Sequence, residues 1–247
     1  MGKFQPLRKR KMDWLERTEL LLGAEQLNKL KQSNVLVIGL GGVGSFAAEL
    51  ICRSGVGRMT IVDADVVEDT NRNRQLPALV SNLGIPKADI MAERLRDINP
   101  ELKLNVVNEF IRDEKTTNLL KSQNFDYVVD AIDTLSPKVF LIYECVQNGL
   151  KLISSMGAGG KMDPSKVQIS DISKSFNCKL AKVLRKQLSK LGVKNGVKVV
   201  FSSEQIDESA VRAEEGQNKK STVGTISYMP PVFGCFMANA VIRDLIN

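Results

Sequence analysis

Hydrophobic residues along the chain alternate between short continuous runs and longer segments with helical spacing. The run Val35–Ile38 is too short for a helix and ends against glycines, which is typical of a strand buried on both faces. Strands are predicted at 35–38, 59–62, 104–107, 127–129 and 152–154, and helices at 43–53, 87–98, 113–122 and 137–147. This alternation predicts an α/β fold with a Rossmann-like, mostly parallel sheet and helices on both faces.

Both ends of the chain depart from this alternation. Apolar residues at mostly helical spacing over 13–30, interrupted by Gly23, predict two short helices ahead of the first strand. Later, strands are predicted at 167–172 and 197–201, on either side of a lysine-rich helix over 178–191. We therefore divide the chain into a tail and helical lead-in (1–34), a Rossmann-like core (35–154) and a C-terminal half of the same domain (155–247).

Two segments of the C-terminal half have unusual composition. The most apolar window, 226–242, contains Pro230, Pro231 and Asn239, so it is interpreted as a packed loop and a core helix rather than a membrane span. No membrane association is expected. The stretch 204–221 is polar and is predicted to be a mobile loop.

Composition narrows the possible chemistry. The chain has no histidine, which excludes Ser-His-Asp and Cys-His triads and histidine metal sites. Its four cysteines are far apart and form no C-x-x-C pair, which argues against a structural zinc site or a redox dithiol. The basic N-terminal residues lead into no apolar segment of a signal peptide, so reduced thiols in the cytoplasm are expected. The net charge of +7 suits an anionic partner.

A glycine-rich segment lies between the first predicted strand and the helix that follows. Small residues there permit a sharp turn and let backbone N–H groups approach a phosphate at the positive end of the helix dipole. The candidates for these contacts are Gly39, Gly41, Gly42, Gly44 and Ser45. Asp63 ends the next strand, where a carboxylate can accept hydrogen bonds from ribose hydroxyls. Alone, this fingerprint would favour NAD or FAD.

The polar loop after Asp63 favours a triphosphate instead. Binding of NAD does not need the guanidiniums and side-chain amides of this loop. Release of pyrophosphate from a triphosphate does, because cationic groups must neutralise the negative charge that develops on it. Lys87 begins a helix and Asp133 follows a strand, so an ammonium and a magnesium-binding carboxylate would face the same edge. The further candidates are Asp65, Asn71, Arg74, Gln75, Lys87 and Asp133. Each has an ordinary structural explanation, and only their combination predicts an ATP and Mg²⁺ site.

These motifs, in this order, resemble the ThiF family of adenylating enzymes, which includes ubiquitin-activating enzymes and molybdopterin-synthase adenylyltransferases. The resemblance runs from about Arg17 to the C-terminus and implies a ThiF-type domain that uses ATP to convert a carboxylate into an acyl-adenylate. It implies catalytic roles for Arg17, Arg74, Lys87 and Asp133. In the family pattern the arginine of the lead-in segment reaches the ATP site of a neighbouring subunit, which implies a homodimer with Arg17 acting in trans.

Three segments, 17–23, 157–164 and 224–234, are similar to one branch of this family, which dehydrates threonylcarbamoyladenosine in tRNA. The similarity implies ATP-dependent cyclisation of the threonylcarbamoyl group. Some members carry a cysteine near 219–221, which this chain lacks, so direct cyclisation of the adenylate is expected. The nearest alternative is activation of the C-terminus of a ubiquitin-like or sulfur-carrier protein. An NAD-dependent oxidoreductase and a nucleotide-sensing protein without turnover are the other classes.

A basic stretch supports the tRNA interpretation independently. Residues 172–203 contain lysines and an arginine but no Asp or Glu, and such a stripe can lie along a phosphate backbone. The candidate RNA contacts are Lys182, Arg185 and Lys186. A solvated helix face explains the same pattern. The sequence leaves open whether a monovalent cation binds near 157–160 and whether a sulfur-transfer or redox protein assists.

Overall fold

The computed structural model describes residues 13–206, 208–213 and 221–247. Its strands are β1 (Asn34–Ile38), β2 (Arg58–Val62), β3 (Lys103–Val107), β4 (Tyr127–Asp130), β5 (Leu152–Ser155), β6 (Val167–Asp171), β7 (Lys198–Ser202), β8 (Val211–Ala213) and β9 (Ser221–Val223). Within these residues, β1 to β7 form one sheet in the order β3, β2, β1, β4, β5, β7, β6. Paired strands run parallel except at one edge, where β6 is antiparallel to β7. The predicted mostly parallel sheet is confirmed.

Helices cover both faces of this sheet, as the sequence predicts. They are α1 (Glu16–Leu22), α2 (Ala24–Gln32), α3 (Gly44–Arg53), α4 (Lys87–Ile98), α5 (Glu114–Ser122), α6 (Leu135–Gln147), α7 (Lys179–Lys190) and α8 (Met229–Ile246). One hydrophobic cluster contains buried residues of α3, α4 and α8, and the other contains those of α6 and α7. Gly23, with φ +85°, separates the two lead-in helices.

The interior strand β1 shows why the hydrophobic pattern predicts the sheet. Every residue of β1 is buried, and successive side chains point to opposite faces of the sheet. Val35 and Val37 pack in the cluster with α3 and α8, whereas Leu36 and Ile38 pack in the cluster with α6 and α7. A strand covered on both sides is apolar along most of its length, so Val35–Ile38 form a continuous run and not an alternating one.

The apolar C-terminal segment forms α8. This helix is long and apolar enough to cross a membrane, but composition alone is weak evidence, and core helices have the same character. Met229, Phe233 and Met237 are fully buried in the cluster with α3. Gly234 allows this close approach, because a Cβ atom there would lie 2.7 Å from the carbonyl oxygen of Val43. The predicted core helix is confirmed.

The stretch 204–221 is only partly the loop that its polarity predicted. Val211–Ala213 pairs antiparallel with Ser221–Val223, so this region contains a two-stranded sheet. The prediction was wrong for these segments because strand pairing satisfies backbone groups even where side chains are polar. Residues 207 and 214–220, and the N-terminal tail 1–12, lie outside the described part of the chain.

Candidate nucleotide-binding and catalytic site

The candidate site lies at the carboxyl edge of the parallel sheet. Ile38 is in register with Val62 on one side and with Asp130 on the other, so β1, β2 and β4 end side by side. The glycine loop, the Asp63 loop and the Asp133 loop each begin within a few residues of those ends. Ligands of open α/β sheets bind in such a crevice.

The glycines of the loop have different tasks. A Cβ atom on Gly44 would lie 1.8 Å from the carbonyl oxygen of Gly39. Gly39 has φ +90°, and a Cβ there would lie 2.7 Å from the carbonyl oxygen of Ala131. Around Gly41, in contrast, the nearest atom to such a Cβ is Nε2 of Gln75 at 3.7 Å. Gly39 and Gly44 are therefore required by the fold, whereas Gly41 leaves open space for a ligand.

Asp63 joins the end of β2 to the glycine loop. Its two carboxylate oxygens accept hydrogen bonds from the backbone N–H of Leu40 at 2.6 Å and of Asp65 at 2.8 Å. Burial raises the pKa of the Asp63 carboxyl, and these bonds together with the charge of Lys87 offset that effect only in part. Because each carboxylate oxygen has a further lone pair, Asp63 can still accept bonds from ribose hydroxyls.

Two of the predicted phosphate-site residues make side-chain hydrogen bonds within the protein, and a third has a buried oxygen without a described partner. The Ser45 hydroxyl is fully buried and donates to the carbonyl oxygen of Gly41 at 2.6 Å, so it fixes the loop. Asn71 is buried, and its side-chain oxygen accepts from the backbone N–H of Glu68 at 3.2 Å. Gln75 lies beside Gly41, and its side-chain oxygen is buried without a hydrogen-bond partner among the described residues. That oxygen is an acceptor next to the glycine loop.

The two cationic side chains predicted to contact phosphate approach the crevice from different sides. Arg74 packs against the glycine loop, since a Cβ on Gly42 would lie 3.2 Å from the Arg74 carbonyl oxygen. Its guanidinium donates to the carbonyl oxygen of Thr70 at 2.9 Å. Lys87 is buried, and its ammonium donates to the exposed carboxylate of Asp65 at 2.9 Å. Lys87 is thereby held on the Asp63 side of the crevice.

Asp133 is exposed on the loop between β4 and α6, and its carboxylate accepts from the Thr134 hydroxyl at 3.2 Å. No group of three or more His, Cys, Asp or Glu side chains that could hold a metal occurs within the described ranges. An exposed carboxylate fits Mg²⁺ that is bound chiefly through phosphate oxygens and water, because magnesium prefers oxygen ligands and keeps several waters.

A buried ion pair holds the Asp133 loop. Lys138 and Asp130 are both fully buried, with Nζ 2.9 Å from Oδ2. The Lys138 ammonium also donates to the carbonyl oxygen of Ile132 at 2.9 Å, and the Ser154 hydroxyl donates to Asp130 at 2.7 Å. Sequence reasoning missed Lys138. The available indication was a lone lysine within an otherwise apolar helical segment.

Arg17 is not brought together with the other candidates. It is exposed on α1, two residues after Leu15, which packs against Gly55 just beyond the C-terminal end of α3. The glycine loop lies at the other end of that helix, about 15 Å away for ten residues at the usual rise.

The three basic candidates on α7 differ in their surroundings. Lys182 and Lys186 are exposed. Arg185 is half-buried, and its guanidinium donates to the carbonyl oxygen of Ser175 at 2.7 Å. Arg185 therefore holds the turn that precedes α7, a structural task that the sequence did not reveal.

The fold and the site together define a class of protein. An α/β domain that binds a nucleoside triphosphate and uses it for adenylation has a glycine turn at a helix N-terminus and a carboxylate for the ribose. It also has cations and a further carboxylate at the same sheet edge. Residues 15–247 match the ThiF family, and the chain belongs to this family.

Known proteins resemble the chain to different extents. The tRNA threonylcarbamoyladenosine dehydratase of Bacillus subtilis is 45% identical over 239 residues, covering 94% of both chains. The crystal structure of the E. coli tRNA N6-threonylcarbamoyladenosine dehydratase in complex with ATP has a TM-score of 0.85 and 35% identity, and covers 93% of this chain and 92% of that chain. A molybdopterin-synthase adenylyltransferase of Haemophilus influenzae is 31% identical over 157 residues, 60% of this chain and 63% of its own. Similarity to the dehydratases thus extends along nearly the whole chain.

Two glycine substitutions should separate fold from ligand binding. Gly44→Ala places a Cβ 1.8 Å from a carbonyl oxygen and should lower the free energy of unfolding by about 3 kcal/mol or more. Gly41→Ala meets nothing closer than 3.7 Å, so it should change that free energy by less than about 1 kcal/mol but weaken ATP binding, because the methyl group enters the open space. Thermal unfolding and ATP titration of both variants give the comparison. Equal melting temperatures for the two would contradict this division of tasks.

Proposed function

We propose that this protein is an ATP-dependent dehydratase that adenylates the threonyl carboxylate of N6-threonylcarbamoyladenosine in tRNA and then cyclises it. The observation that carries the proposal is the similarity to dehydratases along nearly the whole chain, which includes both the phosphate crevice and the C-terminal half. Activation of a carrier protein is the weaker alternative, since the adenylyltransferase relative matches only part of the chain.

In the first step the crevice orients ATP and receives the charge that develops on it. Asp63 accepts hydrogen bonds from the ribose, and backbone N–H groups at the start of α3 contact the phosphates. A carboxylate oxygen of the substrate forms a bond to the α-phosphorus while the bond from that phosphorus to the β-phosphate bridging oxygen breaks. Arg74 and Lys87 neutralise the departing pyrophosphate.

Magnesium would be held by Asp133 against phosphate oxygens, and when bound it would add positive charge beside the pyrophosphate. The buried Asp130–Lys138 pair fixes the loop that presents this carboxylate. We include no monovalent cation near 157–160. The Lys161 ammonium is buried there and donates to the carbonyl oxygens of Asn177, at 3.0 Å, and of Glu204.

In the second step AMP is the leaving group. An atom of the neighbouring carbamoyl group attacks the acyl carbon, the bond from that carbon to the adenylate oxygen breaks, and the ring closes as a carbamoyl N–H proton is lost to solvent. The substrate loses the elements of water, and ATP is converted to AMP and pyrophosphate. The carbamoyl group and the acyl carbon belong to the same substrate molecule and lie a few bonds apart. The ring can therefore close without a protein nucleophile.

The proposed activity can be tested by mass spectrometry of nucleosides from modified tRNA. Incubation with enzyme, ATP and Mg²⁺ should remove one water from the threonylcarbamoyl nucleoside. Asp133→Ala should slow this conversion about 100-fold or more, because magnesium would no longer be held where it neutralises the charge on pyrophosphate. Asp97→Ala is the matched control, an exposed carboxylate in the last turn of α4. An unchanged nucleoside, from enzyme that catalyses ATP–pyrophosphate exchange in the presence of a carrier protein, would favour the alternative.

We further propose a homodimer in which Arg17 completes the site of the neighbouring subunit. Exposed apolar side chains on α1 support this proposal. Leu20 and Leu21 are 81% and 82% accessible, and large exposed apolar patches commonly mark surfaces that pack against another protein. Further exposed apolar residues follow the Asp63 loop: Leu79, Val80, Leu83 and Ile85. Within one chain Arg17 lies far from the glycine loop, as a residue acting in trans requires.

Mixing two inactive variants tests this arrangement. A dimer of Arg17→Ala and Asp133→Ala subunits contains one intact site, so random exchange should restore about one quarter of wild-type activity. Each variant alone should stay inactive in the nucleoside assay. If subunits exchange, as monitored by differently tagged chains, and activity does not return, Arg17 does not act across the interface.

The exposed lysines of α7 are proposed to contact tRNA phosphates. Replacing Lys182 and Lys186 by Glu should weaken tRNA binding about tenfold or more and reduce the dependence of affinity on salt, with ATP affinity unchanged. Arg185 is left intact because it holds the preceding turn. Lys103→Glu with Lys121→Glu is the control, since both lysines are exposed and Lys103 lies on the opposite edge strand. Equal weakening by both pairs would assign the effect to net charge alone.

A further inference from the structure

Three large apolar side chains stand exposed beside the phosphate crevice. Met162, Ile226 and Tyr228 are 65%, 39% and 42% accessible, and we call them the apolar lip. The Tyr228 hydroxyl donates to the carbonyl oxygen of Met162 at 2.9 Å, which joins the two segments of the lip. Neither packing in the core nor the proposed phosphate contacts explain why these three apolar side chains are exposed.

The lip adjoins the glycine loop. Tyr228 directly precedes α8, and a Cβ on Gly42 would lie 2.9 Å from Cβ of Pro230. Asn73 donates from its side chain to the carbonyl oxygen of Thr225 at 3.0 Å, which ties the other end of the segment to the loop that carries Arg74. One residue separates Tyr228 from Pro230, so the lip lies within about 10 Å of the glycine loop.

Hydrogen bonds hold the lip in place. The backbone N–H of Met162 donates to the Glu204 carboxylate at 3.0 Å, and the N–H of Gly160 donates to the carbonyl oxygen of Gly224 at 2.8 Å. The neighbouring Lys161 is buried and bonds to the carbonyl oxygen of Asn177, the second residue before α7. The lip is therefore a fixed surface between the ATP crevice and the start of the basic helix.

Its position matches what the proposed reaction demands of the substrate. The carboxylate that attacks ATP is joined to the adenine through the threonylcarbamoyl group, whose few bonds span about 6 Å. The base must then lie at the rim of the crevice while the RNA backbone follows the lysines of α7. A base displaced from its stack in RNA is held on aromatic or apolar side chains, because its faces otherwise remain in water.

We propose that the apolar lip is the subsite for the modified adenine base, with the ring of Tyr228 stacking on it and Met162 covering its edge. This inference rests on the proposed function, since it names the part of the protein that receives the base of that substrate. Tyr228 is a binding residue in this scheme, and its hydroxyl positions the ring through Met162.

A thermodynamic cycle tests the stacking contact without using activity. An anticodon stem-loop RNA with the threonylcarbamoyl-adenosine is compared with the same RNA lacking the base at that nucleotide. Wild-type protein should bind the abasic RNA at least about tenfold more weakly, because both the stacked base and its threonylcarbamoyl group are lost, and this ratio should be about tenfold smaller for Tyr228→Leu, which lacks the stacking ring. Tyr228→Phe keeps the ring and should retain most of the difference. Phe110→Leu is the control, a ring 52% exposed near the opposite edge strand.

The outcomes separate the possible errors. If Tyr228→Leu still distinguishes the two RNAs by the wild-type factor, the base does not stack on Tyr228 and the inference is overturned, while the activity of wild-type enzyme on modified tRNA leaves the proposed function standing. If Tyr228→Leu dissociates a dimer in sedimentation, the lip is a subunit interface and the inference is again wrong. Failure of wild-type enzyme to convert modified tRNA would overturn the proposed function and this inference with it.

Discussion

The structure depends on a steric constraint at the turn between β1 and α3, where backbone occupies the space that a side chain would need. A Cβ atom on Gly44 would lie 1.8 Å from the carbonyl oxygen of Gly39, and one on Gly39 would lie 2.7 Å from that of Ala131. The turn can therefore close only with glycine at both positions. Because it closes, α3 begins at the strand ends beside the crevice, and the proposed contacts of its first N–H groups with phosphate follow from that placement.

Charged groups around this turn occur as a buried ion pair and as exposed carboxylates. Asp130 and Lys138 are fully buried and paired, and such a pair costs several kcal/mol of desolvation before its bonds are counted. Its bonds to Ser154 and Ile132 fix a loop and leave no free charge. Asp133 on that loop is exposed, and Asp65 is exposed beside buried Lys87. The pair that fixes the loop is thus shielded from solvent, and the carboxylate proposed to hold magnesium faces it.

The C-terminal half is built into the same core and into the rim of the site. The sheet continues from β5 through β7 to β6, and α8 packs on α3 through Gly234. Near the crevice, Asn73 bonds to Thr225 and Gly160 bonds to Gly224. The first bond joins the loop that carries Arg74 to a segment that resembles the dehydratase branch, and the second joins two such segments to each other. An adenylating core of general type is thereby bordered by surfaces that can recognise one particular acceptor.

The sequence by itself determined the features that arise from local pattern: the run of β1, the helical spacing around it, Gly23 between two helices, and a core helix in the apolar C-terminal segment. It also identified the glycine loop and Asp63, because a sharp turn and a strand end have recognisable residue types. It did not show that β6 is antiparallel, that 211–213 and 221–223 pair, or that Lys138 is buried on Asp130. Nor did it show that Arg185 holds a turn, or that Pro230 lies against Gly42. Those facts depend on which distant segments pack together, and hydrophobic periodicity along a chain records burial but not the identity of the partner.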